Sequence, residues 1–269
     1  MRFRLATWNI NSVRLRLDLV RRFVKVVKPD LLCLQEIKCI EENFPARELG
    51  ALGFPHIAVA GQKGYHGVAT LSRLPFTLKE RRDICGRGHA RHLSIALDGA
   101  GAKPILLHNV YVPAGGDIPD PALNDRFRHK LDFLEALAAW FEATPRKRRM
   151  ILVGDLNVAP LPTDVWSHRQ LLKVVSHTPA EVERLERVQA SQGWIDVMRR
   201  HVPAEEKLFT WWSYRNRHWR SSNRGRRLDH IWTTPSLDGA THSMTVLDKA
   251  RDWKRTSDHV PVIADFSIE

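Results

Sequence analysis

Along the chain, short apolar runs alternate with stretches of helical spacing. "FRLATWNI" (3–10) is a continuous run and predicts a buried strand. Ser12 follows as a candidate N-cap. Val13, Leu15, Leu17, Val20, Phe23, Val24 and Val27 then recur at close to helical spacing, until Pro29 closes the helix. "DLLCLQE" (30–36) is the next strand, so the opening reads as a βαβ-like unit. Shorter strands are expected at 56–61, 67–73 and 91–97, a stronger one at 104–112, and a long amphipathic helix over about 122–143. "RMILVGDLN" (149–157) is apolar throughout until it ends in polar residues. Thr178-Pro179-Ala180-Glu181 has the form of a capping box with proline at the first helical position, opening a helix to about 192. Strands are expected again at 208–214, 226–232, 242–248 and 260–268. No repeat, low-complexity linker or shift in composition interrupts this order. It predicts one α/β domain of layered sheets and helices over residues 1–269.

The polar residues that break these runs carry the chemical information. Asn9 and Asn11 end the first strand, Glu36 the second, and Tyr111 lies near the end of the strong middle strand. Asp155 and Asn157 close "VGDLN", on the same side by alternation. Asp229 interrupts "RRLDHIW", and Asp258 and His259 stand at the mouth of the last run. Taken singly, a strand-end Asn or Asp is a turn or cap former. A carboxylate inside an apolar strand must be paired, and His259 is a natural partner for Asp229. If the strand ends converge, four carboxylates meet one histidine, amides and a phenol. That set lacks a cysteine and suits a hard cation such as Mg²⁺ or Mn²⁺ rather than zinc. A hard cation, an acid–base pair and donors for an oxyanion are the parts needed for phosphodiester hydrolysis.

Charge narrows the partners. The chain has 269 residues, 42 Lys+Arg against 30 Asp+Glu, a net charge of +12, and a basic pI of about 10.0. Nucleic acid is the polyanion that such a balance favours. The excess gathers in "RNRHWRSSNRGRR" (215–227), "PRKRR" (145–149) and "RDWKR" (251–255), three blocks that a fold is able to bring to one face. No apolar run approaches the roughly 20 residues of a membrane span, and the N-terminus lacks the pattern of a secretory signal. Cys33, Cys39 and Cys85 have no metal-ligand spacing and read as reduced thiols of a cytosolic protein.

"WNINS", "LQEIK", "GYHGVA", "YVPAG", "GDLNVAP", "FTWWSYR", "GRRLDHIW" and "TSDHVPV", in this order and spacing, resemble the exonuclease III family of AP endonucleases, within the DNase I-like phosphodiesterases. The resemblance covers residues 3 to 268. It implies a four-layered α/β sandwich, with two mostly antiparallel mixed sheets flanked by helices. It implies a nuclease of DNA repair, monomeric and cytoplasmic, meeting the nucleoid when it acts. Such an enzyme would use Mg²⁺ or Mn²⁺ to cleave duplex DNA 5′ to abasic sites and to trim blocked or recessed 3′ ends. By this resemblance Glu36 is the principal metal ligand, helped by Asn9, with Asp258 and Asp155 in the same cluster. Asp155 orients or deprotonates water or protonates the leaving oxygen, Asn157 and Tyr111 hold the phosphate, and Asp229 buttresses His259. Whether Asp155 or His259 is the general base stays open. Trp211, Leu228, Arg215, Arg224, Arg226 and Lys63 are the expected DNA contacts.

Two departures matter. His66 stands where relatives often carry a small or hydroxyl residue, and it either packs or adds a phosphate contact. Arg226 stands where many relatives carry a bulky apolar residue in the abasic-sugar pocket, which leaves open the balance between abasic-site cleavage and 3′-end trimming. The competing readings are a non-DNA phosphodiesterase of the same fold and a non-catalytic DNA-binding module. The arginine-rich stretch argues against the first, and the complete acid and histidine set against the second.

Overall fold

The strongest apolar runs lie at the centres of two separate sheets. A computed structural model describes residues 1–98, 103–146 and 148–268. In chain order the strands are β1 (Arg2–Asn9), β2 (Leu31–Gln35), β3 (His56–Ala60), β4 (Val68–Ser72), β5 (Phe76–Glu80), β6 (His92–Leu97) and β7 (Ile105–Tyr111). There follow β8 (Met150–Asp155), β9 (Ile195–Asp196), β10 (Trp211–Trp212), β11 (Gly225–Arg226), β12 (Asp229–Thr233), β13 (Thr241–Val246) and β14 (Val262–Ser267). The helices are α1 (Leu17–Val27), α2 (Ala46–Gly50), α3 (Asp125–Glu142), α4 (His168–Leu171), α5 (Pro179–Gln192), α6 (Val197–His201) and α7 (Trp219–Ser222).

One sheet has the order β13-β14-β1-β2-β4-β3 and the other β5-β6-β7-β8-β12-β9; β10 and β11 pair by themselves. Each six-stranded sheet contains one parallel pair, β1 with β2 and β7 with β8, and is otherwise antiparallel. The facing sides of the sheets share one core, from Leu5, Leu31 and Val262 to Ile95, Leu107 and Val153. The outer side of the first sheet packs on α1 through Val20 and Phe23, and that of the second on α3 and α5 through Phe133, Leu137 and Val188. The result is an α/β sandwich of two mixed, mostly antiparallel sheets flanked by helices, as expected. Between the sheets, inside the apolar core, Gln35 Nε2 of β2 donates to Asn109 Oδ1 of β7 at 2.7 Å. Asn109 Nδ2 in turn donates to the carbonyls of Leu34 and Ala69 at 3.2 and 2.9 Å.

This topology places the functional residues. β1 and β2 are joined through α1, and β7 and β8 through α3, so Asn9, Glu36, Tyr111 and Asp155 all lie at carboxyl ends of parallel strands. β12 and β14 run the other way, which brings Asp229 and the Asp258–His259 pair to the same edge as they enter. Gly154, just before Asp155, is obligatory: it sits at φ 140°, and a Cβ there would lie 1.9 Å from the Val110 carbonyl oxygen of β7.

Several elements differ from expectation for visible reasons. Ser12 is no N-cap; it sits at φ 83° with its N–H on the Glu36 carbonyl at 2.7 Å, and α1 begins only at Leu17. The chain bends there to serve the end of β2 instead. The run at 208–214 keeps only Trp211 and Trp212 in a strand, because Thr210 and Trp212 bond across to Val260 and Asp258. The run at 226–232 splits because the Arg227 N–H turns to the Asp164 carbonyl and its side chain to Asp164 and Asp196. The edge strand β5, largely exposed, has no apolar signature. The capping box at Thr178 and Glu181 is present, and α5 ends at Gly193 in the left-handed region. Among the described residues no helix is long and apolar enough to cross a membrane, and all three cysteines are free.

Candidate active site

Where the strand ends meet, side chains from the two sheets bond to one another. Asn9 Nδ2 donates to Glu36 Oε1 at 2.8 Å and to Asp155 Oδ2 at 2.9 Å, holding the two carboxylates on either side of one amide. Tyr111 Oη donates to Glu36 Oε1 at 2.8 Å. Asp155 also accepts the Asn157 backbone N–H at 2.9 Å and its Nδ2 at 3.1 Å. That contact uses a tight turn in which Asn157, at φ 54°, takes the left-handed conformation asparagine tolerates. Glu36, at φ 50°, is strained in the same sense.

His259 lies between two buried carboxylates. Its Nδ1 is 2.8 Å from Asp229 Oδ2, and its Nε2 is 3.6 Å from Asp155 Oδ2. Burial disfavours the imidazolium, but Asp229 and Asp155 outweigh it and His259 is pushed up to about 10. Burial raises Asp155 to about 7, with His259 pulling the other way and Asp229 adding to the rise. Tyr111 is raised well above its ordinary value, first by burial and then by the charges of Glu36 and Asp155, so it stays a donor. Burial would raise Glu36, yet the Lys38 charge and hydrogen bonds from Asn9, Lys38 and Tyr111 hold it below its ordinary value.

Asp258 is fixed by Asn11 Nδ2 on one oxygen at 3.1 Å and Trp211 Nε1 on the other at 2.9 Å. Trp211 was expected to face DNA; its indole N–H also orients an acid. A cleft of about 710 Å³ opens above these groups. Glu36, Asn157, Asp258, His259, Trp211 and Leu228 reach it, as do Arg215, Arg224 and Arg226. Lys63 is exposed on the loop after β3, outside this lining.

The ligand atoms of Asp155, Asp229 and His259 all lie within 4.8 Å of one another, a buried group able to coordinate a divalent metal. Oxygen donors predominate around it, and Glu36 Oε2 already draws the Lys38 ammonium to 2.8 Å, so the donor set fits a hard cation.

A family model described as the endonuclease/exonuclease/phosphatase family matches residues 6–259. The chain belongs to this family. It is a hydrolase of the exonuclease III and AP endonuclease branch. "Exodeoxyribonuclease III" of Haemophilus influenzae is 29% identical over 268 residues, covering 97% of this chain and 98% of that one. An AP endonuclease from Archaeoglobus fulgidus superposes with a TM-score of 0.88 at 29% identity, covering 99% of this chain and 100% of that one. A Neisseria 3′ phosphatase, solved with a product DNA hairpin, gives 0.87 at 27% identity over 98% of this chain and 99% of its own.

For a member of this family, three residues passed unremarked in the sequence, Lys38, Arg91 and Lys130, shape the site together with Asn11. Lys38 pairs with Glu36, and Asn11 bridges Lys38 and Asp258. Arg91 lies 4.8 Å over the Tyr111 ring and donates to its carbonyl at 3.3 Å. Lys130 reaches the Asn157 carbonyl at 2.7 Å. The available signal was a cation inside an apolar pattern, as at Lys130 in α3. His66 packs: it bonds Arg91 at 2.9 Å and lies tilted against His89, with the ring centroids 4.7 Å apart.

The basic blocks correct the sequence picture. Arg227 is wholly buried in ion pairs with Asp164 and Asp196, Arg220 pairs with Asp252, and Arg251 sits over Tyr214. Block 145–149, of which Lys147 lies outside the described residues, leads into β8 at the end opposite Asp155. The three blocks therefore do not form one face. The exposed arginines at the cleft are Arg215 and Arg224.

Proposed function

We propose that the chain is a DNA repair nuclease that, with Mg²⁺ or Mn²⁺, hydrolyses the phosphodiester 5′ to abasic sites in duplex DNA and trims blocked or recessed 3′ ends. The observation that carries this reading is the joint lining of one cleft by acids and arginines. Glu36, Asp258 and His259 line the same cleft as Arg215, Arg224 and Arg226. The carboxylates suit a cation and the arginines a phosphate chain. The names of the relatives, an exodeoxyribonuclease, an AP endonuclease and a 3′ phosphatase, support the same substrate class.

Glu36, with Asp258 and Asp155, would hold the dication, and Asn9 sets the spacing between Glu36 and Asp155. A dication held there would supply neutralisation of charge on the phosphate. Asp155, oriented by Asn9 and Asn157, takes the proton of the attacking water. His259, kept protonated by its two carboxylates, donates to a phosphoryl oxygen while Asp229 fixes its ring. Tyr111 and Asn157 steady the same phosphate from the second sheet.

The test uses two labelled duplexes in Mg²⁺, one with an internal abasic-site analogue and one with a recessed 3′ end, with EDTA and Asp155→Asn as controls. A single cut 5′ to the analogue, lost in both controls while Asp155→Asn still binds DNA, is the expected result. Undiminished turnover by Asp155→Asn would remove it from the chemistry. Arg226 favours a second reading, in which 3′-end processing dominates and abasic-site cleavage is weak; a ladder from the 3′ end with little internal cutting would select it.

A further inference from the structure

On the outer side of the second sheet, a groove of about 550 Å³ runs between β5, β7 and the C-terminal end of α3. Leu106 and Met150, partners across β7 and β8, line it. Leu106 is five residues before Tyr111, so the groove lies about 17 Å along the sheet from the catalytic edge.

Its rim is cationic. Lys79 of β5, Arg82 beyond it and Arg148 before β8 reach the groove, and Glu80 is the acid that lines it. Glu80 is taken by Arg82 at 2.6 Å, whereas Lys79 and Arg148 are exposed and form no ion pair among the described residues. Trp140 positions Arg82, its ring centroid 4.6 Å from the guanidinium carbon, and Arg82 Nε is buried without a hydrogen bond.

The base of the groove holds an unmet donor. His108, only 4% exposed, lines it, and its Nδ1 is committed to His92 Nε2 at 3.1 Å. The two outer nitrogens of this pair, His108 Nε2 and His92 Nδ1, are buried and have no partner. Burial, together with the nearby Arg82 and Arg148 charges, keeps both rings neutral. Two neutral imidazoles carry two N–H groups. One lies between the rings, so the other must sit on an outer nitrogen. A buried N–H without an acceptor is costly, and an oxyanion beside His108 relieves it.

We propose that this groove is a binding site, separate from the catalytic cleft, for a phosphate monoester. The phosphate sits between Lys79, Arg82 and Arg148 and takes the Nε2 proton of His108 as a hydrogen bond, while the body it carries lies on Leu106 and Met150. Three cations against one carboxylate suit a dianion, which a phosphate monoester is close to being at neutral pH. The apolar patch favours an ester over bare phosphate. A nucleoside monophosphate meets both demands and is what trimming a 3′ end releases. That identity of the ligand rests on the nuclease reading above, whereas the phosphate site does not.

The test titrates the full chain in Mg²⁺ with thymidine monophosphate, thymidine and inorganic phosphate, following the side-chain nitrogen NMR signals of the histidines. His108, identified by its loss in His108→Gln, reports the groove, and His259 reports the catalytic cleft in the same spectrum. The monophosphate should move His108 saturably and place its proton on Nε2, and thymidine should leave it unmoved. Lys79→Gln and Arg148→Gln, both surface changes, should each weaken that response about tenfold. A His108 signal that no ligand moves overturns the proposal, as does a response confined to His259 or one unchanged in both variants. Inorganic phosphate bound as tightly as the ester overturns the contact with Leu106 and Met150. Titration needs no turnover, so a chain that binds the monophosphate here yet trims no 3′ end would keep the groove and lose the nuclease reading.

Discussion

Buried histidines are held in opposite protonation states within this one chain. His259 sits between carboxylates and keeps its proton, whereas His108, buried with the Arg148 charge acting on it, is lowered to about 3, with burial the larger cause. His92, bonded to His108 at 3.1 Å, is lowered well below its ordinary value, again first by burial. A histidine whose folded value lies below 6.5 binds its proton more readily once unfolded. Its contribution to stability is therefore complete above about 6.5 and is lost as pH falls towards about 3. We expect the urea midpoint to drop steadily from pH 7 to 4, with each such histidine adding about 1.4 kcal/mol per pH unit. His108→Gln should flatten that slope, and equal slopes in the two proteins would show that His108 is not the titrating group. At this scale the sequence was a partial guide. Asp229, Asp258 and His259 announced themselves by interrupting apolar runs, whereas Ser12 looked like a cap. Nothing local distinguishes a serine that starts a helix from one whose N–H is claimed by Glu36, a residue from the next strand.

Helices α3 and α5 do more than cover a sheet. Lys130 and Glu181, both fully buried, pair across them. Glu181 also accepts the Ser176 N–H at 2.9 Å, while Lys130 bonds the Asn157 carbonyl. One ion pair therefore anchors the turn carrying Asn157 and the loop against which Arg226 rests. Lys130→Met leaves Glu181 buried without its counter-charge, and should cost about 3–5 kcal/mol by equilibrium unfolding. Adding Glu181→Gln, which removes the buried charge but keeps an acceptor for Ser176 and Thr178, should restore part of that loss, and a double variant as unstable as the single would show that packing, not charge, is at stake. The capping box of α5 was legible because its chemistry is local. The collapse of 208–214 to two residues was not, because the partners of Thr210 and Trp212 lie about fifty residues downstream.

For the whole molecule, the net charge predicted the kind of partner better than it predicted the contact surface. Of the arginines in 215–227, Arg226 and Arg227 turn inward and Arg220 is tied to Asp252, and those left exposed without an ion pair among the described residues are Arg215, Arg217 and Arg224. Binding to duplex DNA should weaken steeply with salt, and Arg215→Ala or Arg224→Ala should lower the log–log slope by about one each. Arg220→Ala should change it less, since that charge is already met by Asp252. An affinity flat between about 50 and 200 mM salt would remove these arginines from the interface. The sandwich itself has a mechanical side. Asn9, Glu36 and His259 ride on one sheet, and their partners Asp155, Tyr111 and Asp229 on the other. The sheets are thus the two jaws of a caliper, and the chemistry is done at the tips. A slip of one strand residue, about 3.3 Å, would open every one of those contacts at once. Most of the core between the jaws is apolar and would tolerate sliding; the Gln35–Asn109 bond would not. That single amide pair, buried one residue behind Glu36 and two behind Tyr111, sets the zero of the instrument.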